Sequence, residues 1–282
     1  MHGKHLASLF IILIILMLSC QDGTQENVVK HGLPVAAQKE KKVSYDTLLA
    51  GLEMLKKDPV LAQASLGYFI IDITAKEPVI VAEYNGKQPM MPASTLKIFV
   101  TGAALELFGP AIIKEVTITN QMSVNWRASK LLRKIGEKVN HVSSTLAGAK
   151  AILQFWQEKG VDTEGMYFDD GNGLSRNNAI SPKQLVDALF AMRTSPYYEA
   201  FFESLPLAGL SGTLHRAMKG TAAEGRIRAK TGTIAAVKSF AGYAHSVTGR
   251  QLIFSIIVNN FDCRVKPMKK KLEGVLVKIA EL

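Results

Sequence analysis

Disulfides can do little for this chain of 282 residues, because it carries only two cysteines, Cys20 and Cys263. A fold without such staples must rest on its apolar core. No motif surrounds Cys263, which reads as a small, partly buried residue rather than a nucleophilic thiol. The six histidines show no metal-ligand spacing. Asp169 and Asp170 lack the glutamate that would close a calcium loop, so neither a metal nor another cofactor is expected. Lysine and arginine are in excess, for a formal net charge of +10, but they are scattered and not interleaved with aromatics. On that ground no nucleic-acid partner is expected. The excess suits an anionic polymer, a lipid headgroup layer or plain solvation. Neither an internal repeat nor a Pro- or Ser-rich linker interrupts residues 43–282, which argues for one domain there.

With 48% hydrophobic and 21% charged residues, the composition is that of an ordinary globular protein. The N-terminus differs. Lys4 precedes an apolar run from Leu6 to Leu18, followed by Ser19, Cys20 and a polar stretch from Gln21 to Asn27. The run is shorter than the roughly 20 residues of a spanning helix, and its order of charged, apolar and small residues is that of a secretion signal. Met17-Leu18-Ser19-Cys20 resembles a bacterial lipobox, with Met17 where leucine is usual. The resemblance implies export, lipidation at Cys20 and attachment to a membrane through that anchor. A lipidated Cys20 would leave Cys263 without a disulfide partner. The expected organisation is a signal peptide over 1–20, a flexible tether over 21–42 and a folded domain over 43–282.

Within the domain, Ser44 can cap a helix whose Tyr45, Leu48, Leu49, Leu52 and Leu55 share a face and which ends near Pro59. Leu66 to Thr74 and Val79 to Tyr84 read as a β-hairpin. The run from Thr95 to Leu107 is apolar on every face, as in a helix buried at the centre of a domain, and it opens at Ser94. Ile112 to Thr119 reads as a short strand. A helix from Ser123 places Val124, Ala128, Leu131, Leu132 and Ile135 on one face and closes at Gly136, and another runs from about Ser144 to Gly160. Asp169 to Asn178 holds too much Gly and Asn for regular structure. Ser181-Pro182-Lys183-Gln184 marks a helix start close to a capping box. Ile227 to Lys230, Val237 to Val247 and Gln251 to Asn260 read as strands, and a final helix from Pro267 turns Leu272, Val275, Leu276 and Ile279 inward. The expected fold class is α/β of the α+β type: an antiparallel sheet with strands from both ends of the chain, backed by the terminal helices and faced by the middle ones.

The chemistry starts at Ser94-Thr95-Leu96-Lys97. Residues three apart on a helix are neighbours, so a hydroxyl and an amine come within reach of each other on an otherwise apolar element. Ser-x-x-Lys alone arises about once by chance in a chain of this length. Two further motifs follow in order: Ser123-Val124-Asn125, and Lys230-Thr231-Gly232 at the end of a predicted strand. Ser175-Arg176-Asn177 also spells Ser-x-Asn, but it lies in a loop whose polar groups can satisfy their own backbone, so Ser123 is preferred. His215 and His245 read as surface or hydrogen-bonded core residues rather than catalysts.

With these motifs, and with Met91-Pro92-Ala93 before Ser94, Asp170 to Arg176, Leu205 to Gly209 and Ala229 to Thr233, the chain resembles the class C low-molecular-mass penicillin-binding proteins, the D-alanyl-D-alanine carboxypeptidase/endopeptidase group. The likeness runs from about residue 60 to 260 and implies the transpeptidase core shared with β-lactamases. Ser94 and Ser123 are only 29 residues apart, so the large insertion that the group carries between its first two motifs is absent. Met122 stands where the group often has lysine. The resemblance implies a Ser94 nucleophile, Lys97 as general base with a pKa lowered by apolar surroundings and by Lys230, and Ser123 as proton relay to the leaving amine. Asn125 would hold the substrate peptide, and Lys230 and Thr231 its terminal carboxylate. Gly232 would let the substrate lie close, and the backbone N–H groups of Ser94 and Thr233 would form an oxyanion hole. The implied partners are peptidoglycan stem peptides and β-lactam inhibitors, and the location is the cell envelope. A β-lactamase using the same residues and a catalytically idle wall-binding lipoprotein are the alternatives.

Overall fold

The structure, a computed structural model, describes residues 44–282. The expected signal peptide, tether and lipidation site at Cys20 lie outside the described residues. Helix α1 (Asp46–Lys56) buries Leu48, Leu52 and Leu55. It starts after Tyr45 without a side-chain cap, and the Ser44 hydroxyl instead accepts from the Asp46 N–H at 3.2 Å. Strands β1 (Ser65–Asp72) and β2 (Val79–Tyr84) form the expected hairpin. A single 3-10 turn over Ala93–Leu96 then leads into α2 (Lys97–Phe108).

Ile113–Gln121 is helix α3, where the β-branched run predicts a strand. Two of its threonines return their hydroxyls to the carbonyl four residues back, Thr117 to Ile113 and Thr119 to Glu115. Val116, Thr119 and Asn120 are thereby buried at helical spacing. Tertiary packing overrides the local β preference there. Helix α4 (Asn125–Asn140) begins two residues later than expected and runs through Gly136 to a left-handed His141 at φ 57°. Gly136 is a packing residue rather than a terminator. A Cβ there would lie 2.5 Å from the Gly148 nitrogen, so α4 and α5 (Thr145–Glu158) cross where neither carries a side chain. Helix α5 lies within the expected span and is capped by the Ser144 hydroxyl, which accepts from the Ala147 N–H.

Helix α6 (Pro182–Met192) opens on a complete capping box between Ser181 and Gln184. A short helix α7 (Tyr198–Ser204) has no counterpart in the sequence reading. Strands β3 (Ile227–Ile234), β4 (Val237–His245) and β5 (Gln251–Asn259) and helix α8 (Val265–Glu281) complete the described chain. Lys230 to Gly232 thus lie within β3, not at its end.

The strand order is β2-β1-β5-β4-β3, all antiparallel, so the first hairpin joins the last three strands through β1 and β5. Side chains alternate across the sheet. Ile253 and Ile257 of β5 join the core with α2 and α6, whereas Leu252, Phe254, Ile256 and Val258 join the one with α1 and α8. Two buried faces explain why these strands read as continuous apolar runs. They also leave β3 as an edge, beside the turn that carries Ser94.

Candidate active site

The sheet fixes the turn that holds Ser94. The Asn259 side chain bonds both the N–H and the carbonyl of Met91, at 2.9 and 3.0 Å. The Pro92 carbonyl accepts from Ser239 Oγ of β4 and from Thr95 Oγ1, both at 2.6 Å. Gly232 is required at this junction, since a Cβ would sit 2.1 Å from Ser239 Oγ and 2.7 Å from the Pro92 oxygen. Ala93, just before Ser94, has φ 49°, and Ser123 has φ 54°. Such left-handed conformations are uncommon outside glycine and persist only where the surroundings over-determine them.

Lys97 is fully buried, and its Nζ reaches three oxygens: Ser94 Oγ at 2.8 Å, Asn125 Oδ1 at 2.9 Å and the Asn172 carbonyl. Burial lowers its pKa from the ordinary lysine value to about 7, with the Asp170 carboxylate pulling the other way. Lys230, equally buried, donates to Ser123 Oγ at 2.9 Å and to the Thr231 carbonyl at 3.0 Å. Its pKa is pushed well below the ordinary value, first by burial and then by repulsion from Lys97 and Lys238. Burial, not Lys230, is therefore the cause at Lys97. The charge repulsion that the sequence suggests acts on Lys230 instead.

Ser123 is not a helix cap. Val124 occupies that position, and the left-handed backbone of Ser123 accompanies a hydroxyl that meets Lys230. The Thr231 hydroxyl donates to Thr213 Oγ1 at 3.1 Å, a partner the sequence reading passes over. Thr233 is exposed on the β3 edge. Thus Ser94, Lys97 and Asn125 form one cluster, and Ser123, Lys230, Thr231 and Thr213 a second.

The Gly-Asn loop is the other residue set that sequence reasoning undervalued. Asp170 holds it together, its carboxylate accepting from the N–H groups of Asn172, Gly173 and Ser175 and from Asn178 Nδ2, at 2.7–3.1 Å. Ser175 is likewise spent on its own loop, accepting from the Asn177 N–H. The loop presents its Asn172 carbonyl to Lys97 and places Gly173, at φ 84°, where a Cβ would be 2.0 Å from the Ala93 oxygen. The signal available was the Asp-Gly-Asn-Gly run itself, whose glycines permit this close approach.

Asp170→Ala is expected to cost about 1–3 kcal/mol of stability, because four donors lose one acceptor group. It should also slow reaction at Ser94 by about tenfold or more through displacement of the Asn172 oxygen. Thermal unfolding and acylation kinetics measured together check this, and unchanged kinetics would refute the coupling of loop to amine.

His215 and His245 are both exposed, and Cys263 donates its thiol to the adjacent Arg264 carbonyl. Among the described residues no three His, Cys, Asp or Glu side chains cluster to hold a metal ion.

An antiparallel sheet between two helical layers, with a buried Ser and Lys on the turn beside its edge strand, is the architecture of the penicillin-binding proteins and serine β-lactamases. Penicillin-binding protein 4 (dacB) from Haemophilus influenzae, solved with a β-lactam, superposes with a TM-score of 0.73 at 13% identity, over 82% of this chain and 99% of that one. A β-lactamase from Sphaerobacter thermophilus superposes with a TM-score of 0.64 at 14% identity, over 84% and 97%. The chain belongs to the D-Ala-D-Ala carboxypeptidase 3 (S13) family, whose model matches residues 48–114 and 111–278. A D-alanyl-D-alanine carboxypeptidase from Actinomadura sp. (strain R39) is 36% identical over 166 residues, 57% of this chain and 30% of that protein. D-alanyl-D-alanine carboxypeptidase DacB from Haemophilus influenzae is 24% identical over 182 residues, 64% of this chain and 37% of the relative. The matched stretch is thus only 30–37% of these relatives' length.

Proposed function

We propose that the chain is a serine-type D-Ala-D-Ala carboxypeptidase/endopeptidase that acts on peptidoglycan stem peptides through an acyl-enzyme on Ser94 and is acylated by penicillins. The observation that carries this reading is the bonding of Lys97. A neutral amine has two N–H groups and one lone pair, and Asn125 Oδ1 and the Asn172 carbonyl can only accept. They take the two N–H groups, so the lone pair faces the Ser94 hydroxyl at 2.8 Å. Ser94 gives its proton to Lys97 as its oxygen attacks the carbonyl, and the resulting ammonium is met by the same two acceptors. Ser123, held by Lys230, gives its hydroxyl proton to the leaving D-alanine nitrogen as the C–N bond breaks and is reprotonated by the proton Lys97 took from Ser94, which leaves Lys97 neutral again. Lys230 and the Thr231 hydroxyl bind the terminal carboxylate, Asn125 Nδ2 contacts the peptide, and the N–H groups of Ser94 and Thr233 receive the oxyanion. Gly232 lets the substrate lie along the open edge of β3 as an added strand.

A fast β-lactamase needs a carboxylate to activate the deacylating water, and Asp170, the carboxylate of the loop facing Lys97, is committed to backbone N–H groups. This favours a long-lived acyl-enzyme. Incubation with a fluorescent penicillin and with a D-Ala-D-Ala pentapeptide tests the proposal: a stable label and released D-alanine are expected. Rapid turnover of the penicillin would favour the β-lactamase, and no label with no release would leave a wall-binding protein. The same reading takes residues 1–20 as a signal peptide and 21–42 as a tether, with lipidation at Cys20 fixing the domain of 43–282 to an envelope membrane; the order of residues from Lys4 to Cys20 supports it.

A further inference from the structure

We propose that Lys238 is a positioning residue for the oxyanion hole, its ammonium clamping and polarising the Gly232–Thr233 peptide; the inference rests on the acyl-transfer reading above. Lys238 lies on β4 directly opposite Thr233, only 3% exposed, between residues of β4 that are fully buried. An ammonium is costly in such a place unless it is used. Its Nζ donates to the Gly232 carbonyl at 3.1 Å and to Thr233 Oγ1 at 2.7 Å, and lies 4.7 Å from the Phe240 ring centroid. The Thr233 hydroxyl in turn donates to the Gly232 carbonyl at 2.8 Å. These three bonds close a ring around one peptide group.

The Gly232 C=O and the Thr233 N–H are opposite ends of that single planar unit. A cation on the oxygen draws density toward it and makes the N–H a stronger donor, as successive hydrogen bonds polarise one another. The clamp also answers a local weakness. Position 232 must be glycine for the approach of Pro92 and Ser239, yet glycine is the residue least able to hold its own peptide plane. Lys238 supplies from β4 the rigidity that β3 gives up.

The charged groups facing Lys238 are Lys269 and Glu273 of α8 and Lys230 of β3. Burial first, and Lys269 second, bring its pKa down to about 8, with Glu273 opposing. The ammonium is therefore present at neutral pH and lost above about 8.

Saturation kinetics of Ser94 acylation by a chromogenic cephalosporin separate this role from that of a cross-strand strut. Lys238→Met is expected to slow the acylation step by about tenfold. The dissociation constant of the initial complex and the melting temperature should hold, and Lys238→Arg should regain most of the rate. The decline in the unsubstituted protein's acylation rate above pH about 8 should become shallower in Lys238→Met, where of these two lysines only Lys230 still titrates. An unchanged rate and pH profile would overturn the proposal. So would a loss of rate matched by loss of binding and of melting temperature that arginine does not repair. Should the methionine variant not fold, the absence of a descending limb near pH 8 in the unsubstituted protein refutes the clamp. If the unsubstituted protein is not acylated at all, the acyl-transfer reading falls and this inference with it.

Discussion

Ser94→Ala should eliminate the covalent penicillin adduct and cut release of D-alanine by about 10⁴-fold or more, the scale on which loss of a serine nucleophile acts when chemistry runs through an acyl-enzyme. The fold should be indifferent to the change. The Ser94 oxygen meets Lys97 Nζ at 2.8 Å and lies 3.4 Å from the Asn172 carbonyl, whereas the turn is fixed by Thr95, Ser239 and Asn259. In the variant Lys97 keeps Asn125 Oδ1 and the Asn172 carbonyl, so no buried donor is stranded. Intact-mass measurement after penicillin treatment, beside thermal unfolding, gives the result. An adduct persisting on the alanine variant would move the nucleophile elsewhere, with Ser123 the hydroxyl to test next. A variant that loses its label only because it no longer folds would contradict the account of how the turn is held.

The serine–lysine pair was legible because both partners lie within one helical turn, so local geometry alone decides their distance. The sheet was legible because β1 and β5 are largely apolar on both faces, from Tyr68 to Ile71 and from Leu252 to Val258 with Ser255 the one break, as strands buried between two layers are. What escaped the sequence depends on contacts distant along the chain. Nothing in the stretch around Ser123 announces a left-handed serine, a conformation that accompanies a hydroxyl meeting Lys230, 107 residues away. The Ile112 to Thr119 run pairs with no strand and folds as a helix against α7, an element that was itself not foreseen. The Asn172 carbonyl is a backbone group and carries no residue signature. Its position follows from Asp170 and from the space left at Gly173. Lys238 falls in the same class, an ordinary lysine by sequence that the β3–β4 register sets against Thr233.

Lys97→Met should leave a folded protein whose acylation is slower by about 10²–10⁴, the contribution of a positioned general base. Its stability relative to the unsubstituted protein should depend on pH in a direction set by protonation alone. In the folded state Lys97 titrates near 7, and in the unfolded chain near the ordinary lysine value of 10.5. Between these values the unfolded chain binds the extra proton, so the unsubstituted protein gains stability as pH rises through this window, by at most about 1.4 kcal/mol per pH unit. Below about 7 both states are protonated and the burial cost is fully present. Methionine carries no such cost, but it deprives Asn125 Oδ1 and the Asn172 carbonyl of a donor at every pH. That loss is constant and Lys238 titrates in both proteins, while Lys230, relieved in the variant of the repulsion from Lys97, is less depressed there and shifts the difference in the same direction. The stability of the methionine variant minus that of the unsubstituted protein should therefore decrease from pH 7 toward pH 10. Denaturant unfolding of the two proteins at pH 6, 8 and 10 measures it. The same protonation sets the rate in the unsubstituted protein, where acylation should climb through pH about 7 as the amine loses its proton. A stability difference flat across this range, with no ascending limb in acylation, would mean that Lys97 remains charged beside Ser94 and cannot be its base.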